Sequence, residues 1–184
     1  MYTSEESFSH PQKNVLQMGI VEGMKVGDMG AGSGHYAIAL SGLVGPQGRV
    51  YAIDIQKEVL THLQGTLEQK NIKNVDTICG DIEKPGGTML RAHILDAVVL
   101  SNVLFQIENK QAVVDEIKRV LISGGKLLVS DWAGSYSGMG PASEHIVTEN
   151  AAEKLFITGG FHKVKSYRSG PHHYSILFTC PVVQ

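Results

Sequence analysis

Six short apolar runs rich in Val, Ile and Leu recur along the chain, and stretches of helical length separate most of them. The runs are Met24–Met29, Arg49–Ile53, Val75–Cys79, Leu95–Ser101, Lys126–Ser130 and Tyr174–Cys180. The first five are nearly continuous rather than alternating, which is the pattern of parallel strands covered on both faces. Between them, Ser33–Val44 stops at Gly45-Pro46. Lys57–Lys70 lines up Leu60, Leu63 and Leu67 on one stripe, and Lys110–Ile122 lines up Val113, Val114, Ile117, Val120 and Leu121 before Gly124-Gly125. Strand alternating with helix implies βαβ units with right-handed crossovers and a parallel sheet. The chain ends differently. A helix over Asn150–Thr158 precedes His162–Arg168 and Tyr174–Cys180, joined through Ser169-Gly170-Pro171-His172-His173, which reads as a hairpin adding an antiparallel strand to the far edge. The Gly- and Ser-rich stretch Ala133–Ser143 is the one long irregular segment.

At 184 residues and 42% hydrophobic, the chain suits a single domain spanning 1–184 with one real core. A net charge of −2 gives no indication of a nucleic-acid partner. The two cysteines, Cys79 and Cys180, lie far apart and both fall within apolar runs, so they read as small core residues in a reducing, cytoplasmic setting. The N-terminus is acidic and no run approaches 18 apolar residues, so neither a signal peptide nor a membrane span is expected.

The chemistry concentrates at strand ends. The first strand runs into Asp28-Met29-Gly30-Ala31-Gly32-Ser33-Gly34 and then a helix, where open α/β sheets bind ligands. The glycines are expected to turn the backbone sharply and bring its N–H groups against a ligand. A dinucleotide fingerprint would need glycine at 35, where His35 stands, and a carboxylate before the turn suits a cation-bearing ligand better than a pyrophosphate. Asp54 ends the second strand twenty positions after Gly34, placed to accept ribose hydroxyls. Cys79-Gly80-Asp81-Ile82 ends the third, offering a polar acceptor and an apolar face to a base, or simply a turn.

Taken together, Asp28–Gly34, Asp54, Gly80-Asp81-Ile82, Leu95–Ile107 and the Gly124-Gly125-Lys126 approach to the fifth strand resemble a class I S-adenosylmethionine-dependent methyltransferase. Within that group the small ubiquinone/menaquinone-biosynthesis type is nearest, on Val103-Leu104-Phe105-Gln106 and Ile117–Lys126. The resemblance spans roughly residues 11 to 180 and implies a Rossmann-like α/β fold. Its seven-stranded, mostly parallel sheet would have order 3-2-1-4-5-7-6, with the last strand antiparallel and helices on both faces. It implies S-adenosylmethionine as cofactor, S-adenosylhomocysteine as product, no metal, and a small-molecule or lipid-like acceptor. Asp28 with Gly30, Ala31, Gly32 and Gly34 would hold the methionyl part, and Asp54 the ribose. Ile55 and Ile82 would flank the adenine, Gly80-Asp81 would meet its amino group, and the backbone at Ser101-Asn102 would reach the methionyl ammonium. The segment 1–22, with a helix at Gln12–Met18 preceded by Phe8 and His10, would cap the site.

Methyl transfer needs alignment and exclusion of water, with a base only when the acceptor must lose a proton early. Gln106, His10 and the pair Asp131-Trp132 are the candidates around the methyl. Asp131 is either a base or cation-binding group or a helix-capping residue; Trp132 either stacks on an acceptor or packs; His10 is either part of the site or solvated. Several relatives' signatures are missing. Ser101-Asn102-Val103-Leu104 replaces the tetrapeptide of exocyclic-amine methylation, a Mg²⁺ site lacks carboxylates, and two strand cysteines do not suit arsenite. His172-His173 point apart and make a poor metal pair. Gly45–Tyr51 also resembles protein-repair and tRNA adenine methyltransferases, so a protein or tRNA acceptor stays open, as does a cofactor-binding module or partner subunit without activity of its own.

Overall fold

The computed structural model describes residues 10–136 and 140–182. Its elements run α1 Pro11–Leu16, β1 Lys25–Met29, α2 His35–Val44, β2 Arg49–Asp54, α3 Lys57–Gln69, β3 Val75–Cys79, β4 Leu95–Ser101, α4 Lys110–Val120, β5 Leu121–Trp132, α5 Glu149–Thr158, β6 His162–Arg168 and β7 His173–Thr179. The sheet has seven strands in the order β3-β2-β1-β4-β5-β7-β6. β1, β2, β3, β4 and β5 pair in parallel, while β7 runs antiparallel to both β5 and β6. Both the strand order and the terminal hairpin agree with the expectation.

Alternation along the strands sends residues to two cores. Val26, Val50, Ala52, Ala97, Val99, Leu128 and Leu177 pack under α1, α2 and α3. Met29, Ile53, Val98, Leu100, Leu127, Val129, Ile176 and Phe178 pack under α4 and α5. The leucine stripe of α3 and the Val113, Val114, Ile117, Val120 stripe of α4 are buried as their spacing predicts.

Three boundaries and the burial of one cysteine differ from the sequence reading. The helix expected to reach Ile122 ends at Val120, because Leu121 is already extended (φ −72°, ψ 141°) and pairs with Leu95. Ser123-Gly124-Gly125 therefore lies inside β5 rather than before it. Gly124 at φ +74° takes up an irregularity that shifts the register from Leu95↔Leu121 to Ala97↔Lys126. The N-terminal helix is Pro11–Leu16 rather than Gln12–Met18, although Met18 is buried beyond it. Cys79 is exposed at the tip of β3, so only Cys180 is a core cysteine. The edge position of β3 explains this: the strand has a sheet partner on one side alone.

Candidate functional site

Because the parallel strands end on one side, the tips of β1, β2, β3, β4 and β5 form a common rim. The Asp28–Gly34 turn leaves β1 there. Gly30 (φ +73°) and Gly34 (φ +81°) are required twice over. A Cβ at Gly30 would sit 2.3 Å from Val103 Cγ2, and one at Gly34 2.2 Å from Leu63 Cδ1. Gly32 is different: it too is left-handed (φ +51°), but a Cβ there would meet nothing within 4 Å, so the turn is open toward the rim at this residue.

The turn's N–H groups do not face a ligand as expected. Gly30 and Ala31 donate to Ile53 O at 2.8 and 2.9 Å, Gly34 donates to Ala31 O, and Gly32 donates to Asp54 Oδ2 at 2.9 Å. The glycines serve clearance and curvature, and the donors lock the turn onto β2. Asp54 anchors this arrangement, since its other oxygen accepts Gln56 N–H at 2.9 Å. Each Asp54 oxygen keeps a second lone pair, so the carboxylate can still accept from a ligand hydroxyl.

Asp28 is 2% exposed, and burial pushes its carboxyl up to about 7; the Ala37 N–H in the first turn of α2 works against that rise, and the Asp54 charge adds to it. Its Oδ2 has no hydrogen-bond partner. At the tip of the paired strand β4, Ser101 Oγ and Asn102 Oδ1 are also buried without partners. All three lie at the ends of the adjacent strands β1 and β4, and buried acceptors without donors cost free energy. Asn102 is held at φ +58°, a strained conformation for a residue other than glycine, and its N–H donates to Ser130 O at 2.8 Å.

The base side of the rim is less committed. Ile55 is 63% exposed, free to cover a flat ligand, whereas Ile82 is buried in the core. Asp81 accepts Glu83 N–H at 3.0 Å and pairs with Lys84 at 3.1 Å. Gly80 could carry no side chain, because a Cβ would lie 2.3 Å from Gly87 O.

Asp131 is bonded to the backbone of its neighbours. It is 1% exposed, and its two oxygens accept Leu104 N–H at 2.9 Å and Trp132 N–H at 2.8 Å. Burial pushes its carboxyl up to about 6, with the amides of Trp132, Leu104, Val103 and Phe105 opposing. It caps the short 3₁₀ turn Leu104–Gln106 and holds the β4 exit in place. Trp132 is likewise packed, 4.4 Å from the His173 ring and against Gly140, whose Cβ would lie 2.8 Å from the indole. Gln106 is exposed, with Nε2 donating to Asn102 O at 3.1 Å. His10 takes the N-cap position of α1 without a side-chain capping bond, and Phe8 lies outside the described residues.

Sequence reasoning placed His173 in the hairpin turn and did not anticipate its burial. It is fully buried on β7, opposite Trp132, with neither ring nitrogen partnered, and burial pulls it down to about 4, with His172 adding to the shift. The cue was the apolar run itself, whose first residue the hairpin turn had claimed. It also missed the cavity of about 820 Å³ between the β4 exit and the segment 141–147. Among the described residues, no helix is long and apolar enough to cross a membrane, and no group of three or more His, Cys, Asp or Glu could hold a metal ion.

The model of a family described as a methyltransferase domain matches residues 20–167. The arsenite methyltransferase of Mus musculus is 36% identical over 117 residues, 60% of this chain and 31% of that protein. A demethylmenaquinone methyltransferase of a Geobacillus species is 30% identical over 120 residues, 64% of this chain and 49% of its own length. The chain therefore spans about a third to a half of these curated relatives. Its fold is that of a solved SAM dependent methyltransferase from Aquifex aeolicus, with TM-score 0.87 and 24% identity, covering 97% of this chain and 94% of that one.

Proposed function

The chain belongs to the methyltransferase-domain family, and from that premise we propose that it is an S-adenosylmethionine-dependent methyltransferase acting on a small-molecule or lipid-like acceptor. The carrying observation is the set of unpartnered buried oxygens at the tips of β1 and β4: Asp28 Oδ2, Ser101 Oγ and Asn102 Oδ1. An ammonium has three donors and a positive charge, and it fits three acceptors of which one is a carboxyl. The residues present thus suit the amino-acid end of the cofactor. Asp54 would take the ribose, Ile55 would lie against the adenine beside Ile82, and Gly80-Asp81 would meet its amino group. Gly32, with open space where a Cβ would be, would leave room for the sulfonium between them.

When bound, the cofactor supplies a methyl made electrophilic by its sulfonium, and it leaves as neutral S-adenosylhomocysteine. The chain's own residues align the acceptor and exclude water. Asp131 is buried and holds the amides of Leu104 and Trp132, and the Gln106 amide has no basic nitrogen, so this reading assigns neither as a base. Catalysis in this reading rests on proximity and orientation, with Asn102 and Gln106 shaping the wall beside the methyl. His10 is retained only as part of the capping segment.

Two measurements test the proposal. Calorimetry with S-adenosylhomocysteine is expected to show saturable binding, and absence of heat overturns it. Incubation with methyl-labelled cofactor and a panel of quinols, phenols, amines, tRNA and protein is expected to label the small organic acceptors. Tight binding with no transfer to any fraction would instead favour a cofactor-binding subunit, and label in tRNA or protein would move the acceptor to those classes.

A further inference from the structure

The cavity of about 820 Å³ lies at the β4 end of the rim, on the α4/α5 side of the sheet. Phe105 and Ile107 form one wall, at the exit of β4. Ile146, Val147 and Leu155 form the other, on the approach to α5 and on α5 itself. Its volume is that of a pocket for a compact organic molecule. Gln106 lines the cavity and donates to the carbonyl of Asn102, whose side-chain oxygen is one of the unpartnered acceptors at the β4 tip.

Both walls are pinned from beneath by neighbours on the sheet. Asp131 on β5 and Tyr174 on β7 are register partners, and both are buried. The Asp131 carboxylate accepts Leu104 N–H at 2.9 Å, fixing the Phe105–Ile107 wall. The Tyr174 hydroxyl donates to Val147 O at 3.0 Å, fixing the facing wall. Two buried polar side chains, each bonded to the backbone of one wall, hold the walls apart at a set separation. A hollow that merely resulted from loose packing would not need such supports.

The charges sort what could enter. Glu108 and Glu144 stand exposed at the mouth. The lysine among the lining residues, Lys110, already donates to Ile107 O at 2.7 Å. His145 is exposed at the rim, and the inner walls are aliphatic and aromatic. Two exposed carboxylates oppose an anion, Lys110 is tied by one of its donors to Ile107 O, and the aliphatic and aromatic inner walls give an ion of either sign no replacement for its hydration. Thiol capture of a soft ion has no support either. The chain has two cysteines. Cys79 ends β3, while Cys180 follows β7 at the opposite end of the sheet, where its N–H bonds Gly125 O.

We infer that this cavity is the acceptor site, that it takes an uncharged apolar acceptor, and that Asp131 and Tyr174 are the positioning residues that hold its walls. The inference rests on the methyltransferase reading above and names the substrate class of that same site. The test loads the protein with S-adenosylhomocysteine and titrates N-phenyl-1-naphthylamine, a neutral dye that brightens in apolar surroundings. The same ring system carrying a sulfonate, 1-anilinonaphthalene-8-sulfonate, serves as the charged control. The neutral dye is expected to bind saturably and at least tenfold more tightly than the anionic one. Ala151→Trp, which fills the cavity from an exposed position on α5, is expected to weaken the neutral dye tenfold or more. It should also stop transfer of labelled methyl into the organic-soluble fraction of a cell extract. Tyr174→Phe is expected to raise the dye's Kd about fivefold with S-adenosylhomocysteine affinity unchanged, a split that a purely structural loss would not produce. Equal binding of both dyes, or an Ala151→Trp protein that binds dye and transfers methyl as before, overturns the inference. Failure to bind S-adenosylhomocysteine overturns the methyltransferase reading instead, so the two failures are distinct.

Discussion

Two aspartates, Asp28 and Asp131, end neighbouring parts of one sheet and lie equally deep, yet they do opposite things. Asp28 at the tip of β1 is bonded by the Ala37 amide and leaves one oxygen without a donor. Asp131 at the tip of β5 has a backbone amide on each oxygen. Burial raises both carboxyls, to about 7 and about 6, so depth does not distinguish them. The supply of donors does. Asp131 has both oxygens engaged inside the packed protein, whereas Asp28 has a buried oxygen that a ligand donor would satisfy.

The largest expected effect comes from breaking the Asp131 bonds. Asp131→Ala should lose about 3 kcal/mol of stability in urea denaturation, because the amides of Leu104 and Trp132 are left buried and unpaired. S-adenosylhomocysteine affinity should change little; full stability in this variant would remove the capping role. Asp28→Ala should give the mirror image. Affinity measured by calorimetry falls by about 2 kcal/mol, the scale of a hydrogen bond to a charged group, while apo stability holds or rises slightly. Asp54→Ala sits between them, costing about 1–3 kcal/mol of affinity, with some stability lost because Gly32 and Gln56 lose their acceptor.

Titration sharpens the same contrast. A carboxyl whose pKa is higher folded than unfolded stabilises the fold fully below the unfolded value, and that contribution is lost as pH rises through the folded one. Asp28 and Asp131 thus lower apo stability progressively from pH about 4 to about 7. Asp28→Asn should flatten the upper part of that window and Asp131→Asn the lower part. Binding of S-adenosylhomocysteine should tighten as pH rises through about 7, since the ionised Asp28 is the better partner for an ammonium; a flat profile would count against that contact. The smallest effect is local: Gly32→Ala should cost about 1 kcal/mol of stability for its φ of +51°, with no clash.

The proposed cofactor half of the rim is the part whose geometry was largely legible from residue types. Asp28, the glycines, Asp54 and Asp81 are spaced by strand and loop lengths that a linear pattern records, and they come together as that pattern implies. What the glycines do was not legible. The reading assigned their N–H groups to a ligand, whereas Ile53 O and Asp54 take them. The acceptor half was hardly legible at all. Asp131, Trp132 and His173 were weighed by type alone, and their roles follow from the pairing of Asp131 with Tyr174 and of Trp132 with His173 across β5 and β7. The cavity between residues 105–110 and 141–155 has no signature in either segment.

The family resemblance implied the strand order; the strand-forming runs, the terminal hairpin, the buried stripes of α3 and α4 and the place of the glycine turn were determined by the amino-acid sequence alone. Each is a local periodicity or a stop signal, and burying one face of each element leaves few ways to arrange them. Only the tertiary structure decided which buried carboxyl is satisfied, which histidine has no partner and where the cavity opens. Hydrogen-bond supply is a property of neighbours brought together from distant positions, as Leu104 and Asp131 are, and the chain written out in line does not contain those distances.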